Sequence, residues 1–240
     1  MDRVLVALDV ETRAEALRLA DTLRGSVGGF KIGSRLFTAE GPSMVRAMTE
    51  RGDRVFLDLK FHDIPNTVAT AVAAAAALGV WMVNVHASGG TAMMEAARDA
   101  ARDTAAKHNL TPPLVIAVTV LTSMSHKALQ ETGVQIDLID QVLRLAELTR
   151  DAGLDGVVAS PRETAAIRRR LGAGFAIVTP GIRGGAAAAT KDDQERTMSP
   201  AEAIAAGASY LVVGRPIIGA SDPREAAQRI ADSLDDKAEG

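Results

Sequence analysis

The chain has 240 residues, 47% apolar but only 3% aromatic, and its 27 Lys and Arg against 30 Asp and Glu leave a formal net charge of −3. That length suits one large α/β domain cored by Ala, Val, Leu and Ile, and the slight negative charge gives no general attraction for nucleic acid or an anionic membrane. Cysteine is absent, which excludes disulfides, thiolate catalysis and thiolate-held metal.

Eight short runs, nearly continuous in apolar residues, follow one another along the chain. They are RVLVALD from Arg3, GFKIGS from Gly29, RVFLDLK from Arg54, VWMVNVHA from Val80, PLVIAVTVL from Pro113, DGVVAS from Asp155, FAIVTPGI from Phe175 and YLVVGRP from Tyr210. Such runs are expected of strands buried on both faces of a parallel sheet. Helical stretches separate them. SPRE at 160–163, SPAE at 199–202 and DPRE at 222–225 each place a capping residue, a first-turn Pro and a Glu that can reach back to the cap. TRAE at 12–15 is a capping box without the Pro. Eight strands alternating with helices predict a closed (β/α)8 TIM barrel in a single domain over 1–240, with a doubly wound open sheet as the alternative. The Ala-rich stretch Val68 to Val83 is interrupted by Gly79 and is too short for a membrane span, so it is read as a helix followed by a strand. With no signal-peptide pattern at the N-terminus, a cytoplasmic protein is expected. Two connections are unusually long: TSMSHKALQETGVQ after the fifth strand and RGGAAAATKDDQERTM after the seventh. Both are expected to be lids or disordered segments.

The third strand carries the chemistry. With a period of two, Phe56, Asp58 and Lys60 share one face, and Leu57, Leu59 and Phe61 turn toward the helices. Lys31 in FKIG and Asp9 at the end of LVALD bring charge to the same end of adjacent strands. Lys31, Asp58, Lys60 and Asp63 are read as an alternating set, each contact worth about 4 kcal/mol before desolvation at 4 Å and an effective dielectric near 20. A cationic lysine beside a nascent carbanion is a general acid. A second cluster, Pro180, Gly181 and Arg183 with Gly214 and Arg215, lies after the last two strands, where barrels commonly hold phosphate. The four histidines lack metal-ligand spacing. His86 is expected to be a hydrogen-bonded core residue, His62 to lie behind the site or at the surface, and the IRRR run at 167–170 to be a solvated helix end.

Taken in order and spacing, ALD, FKIG, DLKFHDIPNTV, NVHASGG, LTSMS, DGVVASP, VTPGIR and VVGRPI resemble the orotidine 5′-monophosphate decarboxylase family of the short bacterial type, over nearly the whole chain. The resemblance implies loss of CO2 from C6 of the orotate ring to give UMP, with no metal or organic cofactor. It implies that Lys60 donates the proton to C6 and that Asp58 faces the substrate carboxylate. Lys31 would hold this network and the ribose, and Asp9 would contact the ribose. Asp63, with Ile64 and Thr67, would reach into the partner subunit's site, so the resemblance implies a homodimer with two shared sites. Arg215 and the Gly214 N–H would hold the phosphate together with Arg183 and Gln194 of the loop, and Ser125 and Thr122 are the two candidates for pyrimidine contacts. The nearest rival resembles the 3-keto-L-gulonate 6-phosphate decarboxylase and hexulose-phosphate synthase group, which uses a divalent metal and an acidic residue on strand two, where this chain has Lys31. A non-catalytic phosphate-binding barrel is the third reading; it would be expected to have lost one of Lys31, Asp58, Lys60 or Asp63.

Overall fold

Every one of the eight apolar runs forms a strand in the computed structural model, which describes residues 2–182 and 198–235. The strands are β1 Val4–Ala7, β2 Gly29–Gly33, β3 Val55–Phe61, β4 Met82–His86, β5 Leu114–Val118, β6 Gly156–Val158, β7 Ala176–Thr179 and β8 Tyr210–Val213. They are all parallel and follow sequence order around a closed barrel, in which β1 returns to β8 with Leu5 opposite Val212. This is the TIM-barrel architecture, not the open sheet.

Alternation along each strand divides the core into two layers. Leu5, Ala7, Phe56, Met82, Ile116, Val118, Val158, Val178 and Val212 fill the barrel axis. Their strand neighbours, among them Val4, Val6, Phe30, Ile32, Leu57, Val83 and Val85, face the surrounding helices. With few aromatics available, Phe56 is the largest fully buried side chain of the axis, and the outer layer is completed by small helix residues such as Ala16, Ala20, Ala97 and Ala101.

The helices in chain order are α1 Arg13–Leu23, α2 Ser34–Glu40, α3 Pro42–Thr49, α4 Pro65–Ala76, α5 Thr91–Lys107, α6 His126–Glu131, α7 Leu138–Asp151, α8 Pro161–Leu171, α9 Pro200–Ala205, α10 Arg215–Ile218 and α11 Pro223–Asp235. The capping motifs act where they were read. Thr12 Oγ1 accepts from the Glu15 N–H, the Glu163 carboxylate accepts from the Ser160 N–H, Ser199 and Glu202 close a full capping box, and Asp222 accepts from the Glu225 N–H. The Ala-rich stretch is α4 running into β4, and among the described residues no helix is long and apolar enough to cross a membrane.

The long connection after β5 contains the short helix α6, capped by Ser125, whose Oγ accepts from the Ala128 N–H at 3.2 Å. One expectation needs correction. The IRRR run is not wholly solvated. Arg168 turns inward, donating to the carbonyls of Gly207, Gly172 and Phe175 and to Ser209 Oγ, and so ties α8 to the turn before β8. A guanidinium has five donors, enough to satisfy several orphan carbonyls at once. Only its outer neighbours keep to the surface, Arg170 pairing there with Glu147.

Candidate active site

All eight strands point their C-terminal ends to one mouth, and the charged residues of β1, β2 and β3 meet there. Lys31 Nζ lies 3.1 Å from Asp9 Oδ1 and 3.5 Å from Asp58 Oδ2, while Lys60 Nζ lies 2.6 Å from Asp58 Oδ1. The order is therefore Asp9–Lys31–Asp58–Lys60, two carboxylates and two ammonium groups in alternation. Barrel register explains why Lys31 can serve both neighbours: Ala7 stands opposite Lys31, and Gly33 opposite Asp58. Gly33 also leaves room for the ammonium, since a Cβ there would stand 2.9 Å from Lys31 Nζ.

Asp63 does not belong to this chain of charges within the protomer, contrary to the expected set; Asp9 takes the fourth place. The Asp63 carboxylate accepts the backbone N–H of Ile64 at 2.7 Å, and Ile64, just before α4, is 66% exposed. The reason is a break in the strand. β3 and β4 pair at Leu57↔Val83 and next at Phe61↔Val85, so three intervening residues on one strand face one on the other. Lys60 sits in that bulge with a left-handed backbone, φ 52°, a conformation that non-glycine residues seldom adopt. Beyond it the two-residue period no longer says which way a side chain points.

The residue that sequence reasoning missed is Asn84 of β4. It is fully buried and faces the bulge. Its Oδ1 accepts the Lys60 backbone N–H at 2.8 Å, and its Nδ2 donates to Asp58 Oδ1 at 2.7 Å. A lone Asn within the apolar run MVNVH was the available signal, because a buried amide demands partners.

Burial by itself would raise the Asp58 pKa, but the charges of Lys31 and Lys60 and the bonds from Lys60 and Asn84 outweigh it and hold the carboxyl below its ordinary value. Asp58 is thus an anion at any working pH, and its contribution to stability is lost only as pH falls below the usual carboxylate range.

His86, expected as a hydrogen-bonded core residue, is instead half-buried, its ring 5.4 Å from that of His62, with no hydrogen bond to the ring among the described residues. Burial first, then the like charge of His62 and Lys60, lowers its pKa despite the opposing pull of Asp58. A base whose folded pKa is depressed takes up protons more readily when unfolded. The stability this represents is full above the ordinary value of 6.5 and is lost as pH falls from there toward the lower folded value. Urea denaturation at pH 7.5 and pH 5.5 is expected to show a smaller acid loss of stability in His86→Gln than in the parent; equal losses would remove His86 as the source.

The second cluster adjoins the first. Gly214 follows β8 as the N-cap of α10, and a Cβ there would stand 3.7 Å from Asp9 Oδ2. Arg215 follows as the first residue of α10. After β7, Pro180 and Gly181 turn the chain, Gly181 at φ 80°, and Ile182 bridges to Met198. Arg183 and Gln194 lie outside the described residues. Thr122 is half-buried in the connection after β5, Ser125 caps α6, and Thr67 lies exposed in the first turn of α4.

Comparison with known proteins agrees with the sequence resemblance. An orotidine 5′-phosphate decarboxylase from Moorella thermoacetica is 54% identical over 235 residues, 98% of this chain and 92% of the relative. One from Syntrophotalea carbinolica is 54% identical over 97% of this chain and 94% of its own. The crystal structure of orotidine 5′-phosphate decarboxylase from Lactobacillus acidophilus is 36% identical with a TM-score of 0.85, covering 96% of this chain and 98% of that one. The family model described as orotidine 5′-phosphate decarboxylase / HUMPS family matches residues 2–230. With eight parallel strands in sequence order and alternating charges at their mouth, the chain belongs to that family.

Proposed function

We propose that the chain is an orotidine 5′-phosphate decarboxylase, a carboxy-lyase that forms UMP and CO2 in pyrimidine biosynthesis. The observation that carries this reading is the Lys31–Asp58–Lys60 chain, with Asp58 held as an anion between two ammonium groups. Cleavage of the C6 carboxylate releases CO2 and leaves the bonding electron pair on C6. Lys60 Nζ delivers a proton to that carbon and is reprotonated from solvent. The pair on C6 lies in the ring plane and is poorly delocalised, so stabilisation must come from fixed charge at the site, which acts without reorganisation. Asp58 faces the departing carboxylate and keeps Lys60 in place; Lys31 and Asp9 position the ribose.

At the other end of the substrate, Arg215 and the Gly214 N–H hold the phosphate, with Arg183 and Gln194. Either Ser125 or Thr122 contacts the pyrimidine, and Pro180 and Gly181 shape the wall between. Binding energy from the phosphate, remote from the reacting carbon, is available for ordering the site. Arg215→Ala is expected to raise KM roughly 10²-fold or more, the loss of a charge-assisted contact of about 3 kcal/mol, with a smaller change in kcat. An unchanged KM in steady-state assays would remove Arg215 from the phosphate site.

The metal-dependent sugar-phosphate reading requires an anionic ligand on strand two, where Lys31 stands already committed to Asp9 and Asp58. Ultraviolet absorbance of orotidine 5′-monophosphate with purified protein and excess EDTA separates the two. Loss of the orotate band with appearance of UMP supports decarboxylation by the chain alone. A band unchanged until magnesium is restored, or unchanged throughout, overturns it. The same reading makes the active form a homodimer in which Asp63, Ile64 and Thr67 complete the partner's site; Asp63 and Ile64 are exposed at the site's rim.

A further inference from the structure

We infer that Asn84 is a positioning residue for the decarboxylation, setting both the direction of Lys60 and the rotamer of Asp58. The inference rests on the roles proposed for those two residues. The β3 bulge deprives Lys60 of an ordinary ladder partner, because pairing skips from Leu57↔Val83 to Phe61↔Val85. Asn84, on the β4 residue between those two pairings, replaces the missing acceptor with its side-chain oxygen, 2.8 Å from the Lys60 N–H. That bond holds the left-handed backbone at φ 52°. Without it, a residue with a Cβ favours the ordinary β or right-handed regions, and either would turn the Lys60 side chain away from Asp58.

The amide's other end meets the same carboxylate oxygen that takes the lysine: Asn84 Nδ2 and Lys60 Nζ lie 2.7 and 2.6 Å from Asp58 Oδ1. Oδ2 is left to Lys31 at 3.5 Å. One fully buried side chain therefore fixes the donor's backbone and the carboxylate's plane together. An acid would accept but not donate as an anion, and an apolar residue would do neither. At this length Asn offers a neutral acceptor and donor without having to take up a proton. Besides Asp58 and Lys60, the charged or titratable groups nearby are Lys31 on β2, His86 at the end of β4 and His62 after β3.

Two variants test this. Asn84→Leu, similar in volume, is expected to lower kcat by roughly 10²-fold or more while KM and the Kd for UMP stay within about threefold, since the phosphate end is untouched. A folded Asn84→Leu with kcat within threefold of the parent overturns the inference. Asn84→Asp keeps the acceptor and loses the donor until it is protonated. Two carboxylates at hydrogen-bond distance share one proton with a raised apparent pKa. Relative to the parent, the kcat of Asn84→Asp is expected to rise as pH falls, whereas a residue that only supported folding would leave the pH profile parallel to the parent's. A parallel profile overturns the inference even where Asn84→Leu fails to fold.

A crystal structure of Asn84→Asp at neutral pH supplies a readout independent of substrate. Lys60 displaced from Asp58 or Asp58 rotated supports the inference; Lys60 and Asp58 both unmoved overturns it. Failure of the parent to decarboxylate orotidine 5′-monophosphate would instead strike the functional reading, leaving this structural test to decide the role of Asn84 in orienting the pair.

Discussion

Lys60→Ala is expected to lower kcat by roughly 10⁴-fold or more while leaving the Kd for UMP within a few-fold of the parent. Two losses combine in that figure. A positioned general acid contributes about 10²–10⁴, and a fixed charge beside developing negative charge about 10²–10³. They do not simply multiply, because one group performs both tasks. A factor of 10⁴ corresponds to about 5.5 kcal/mol of transition-state stabilisation.

The fold is expected to survive the change. Asp58 keeps Lys31 at 3.5 Å and the Asn84 amide at 2.7 Å, so its buried charge is not left without partners. Single-turnover measurement of UMP formation gives the chemical step, and equilibrium titration with UMP gives the phosphate end. A kcat within tenfold of the parent would show that another group protonates C6. A large loss of UMP affinity would show that the substitution had disordered the whole mouth and that its kinetics say little about proton transfer.

Most of the barrel was legible because its strands are buried on both faces and four of its helices, α1, α8, α9 and α11, open with Ser-Pro, Asp-Pro or Thr caps. The charged residues were legible for the same reason: Asp58 and Lys31 fall at inward positions of strands whose other inward positions are apolar, such as Phe56 on β3. The reading failed where the period failed. Lys60 was placed correctly for the wrong reason, since a left-handed bulge within β3, not regular strand alternation, aims it at Asp58. Past that bulge, the step from Lys60 to Asp63 could not be extrapolated, and Asp63 left the protomer's charge network. Asp9 entered it as its place at the end of the adjacent strand suggested: β1 pairs with β2, which sets its carboxylate 3.1 Å from Lys31 Nζ. Asn84 needed the bulge to be known before its amide had an evident use. Arg168 was lost among its neighbours for a similar reason, as three consecutive arginines at a helix end do not announce which one turns inward.

The fate of Asp63 gives the second large effect. Asp63→Ala is expected to lower kcat roughly 10²-fold or more, as loss of a fixed charge at the reacting end, although among the described residues it pairs with no charged group of its own protomer. Its position at the rim, next to an Ile64 that is 66% exposed, suits an isologous contact in which each subunit offers the same patch to the other. If the carboxylate serves the partner's site, the lesions of Lys60→Ala and Asp63→Ala fall in different sites of a mixed dimer. In one site both are defective; in the other both are intact. Random pairing of equal amounts makes half the dimers mixed, so about a quarter of all sites should be whole.

Coexpression of the two variants with different tags, followed by isolation of the doubly tagged species, raises that to about one site in two. Recovery from near-background to about half of parental kcat per dimer is a gain of roughly two orders of magnitude with no new residue added. Were Asp63 to act within its own chain, every site of the mixed dimer would lack one of the two groups. Activity would then stay at the mean of the two variants. A mixed dimer at that mean therefore places Asp63 in its own site, and a protein that is monomeric by sedimentation at assay concentration while fully active removes the shared site altogether.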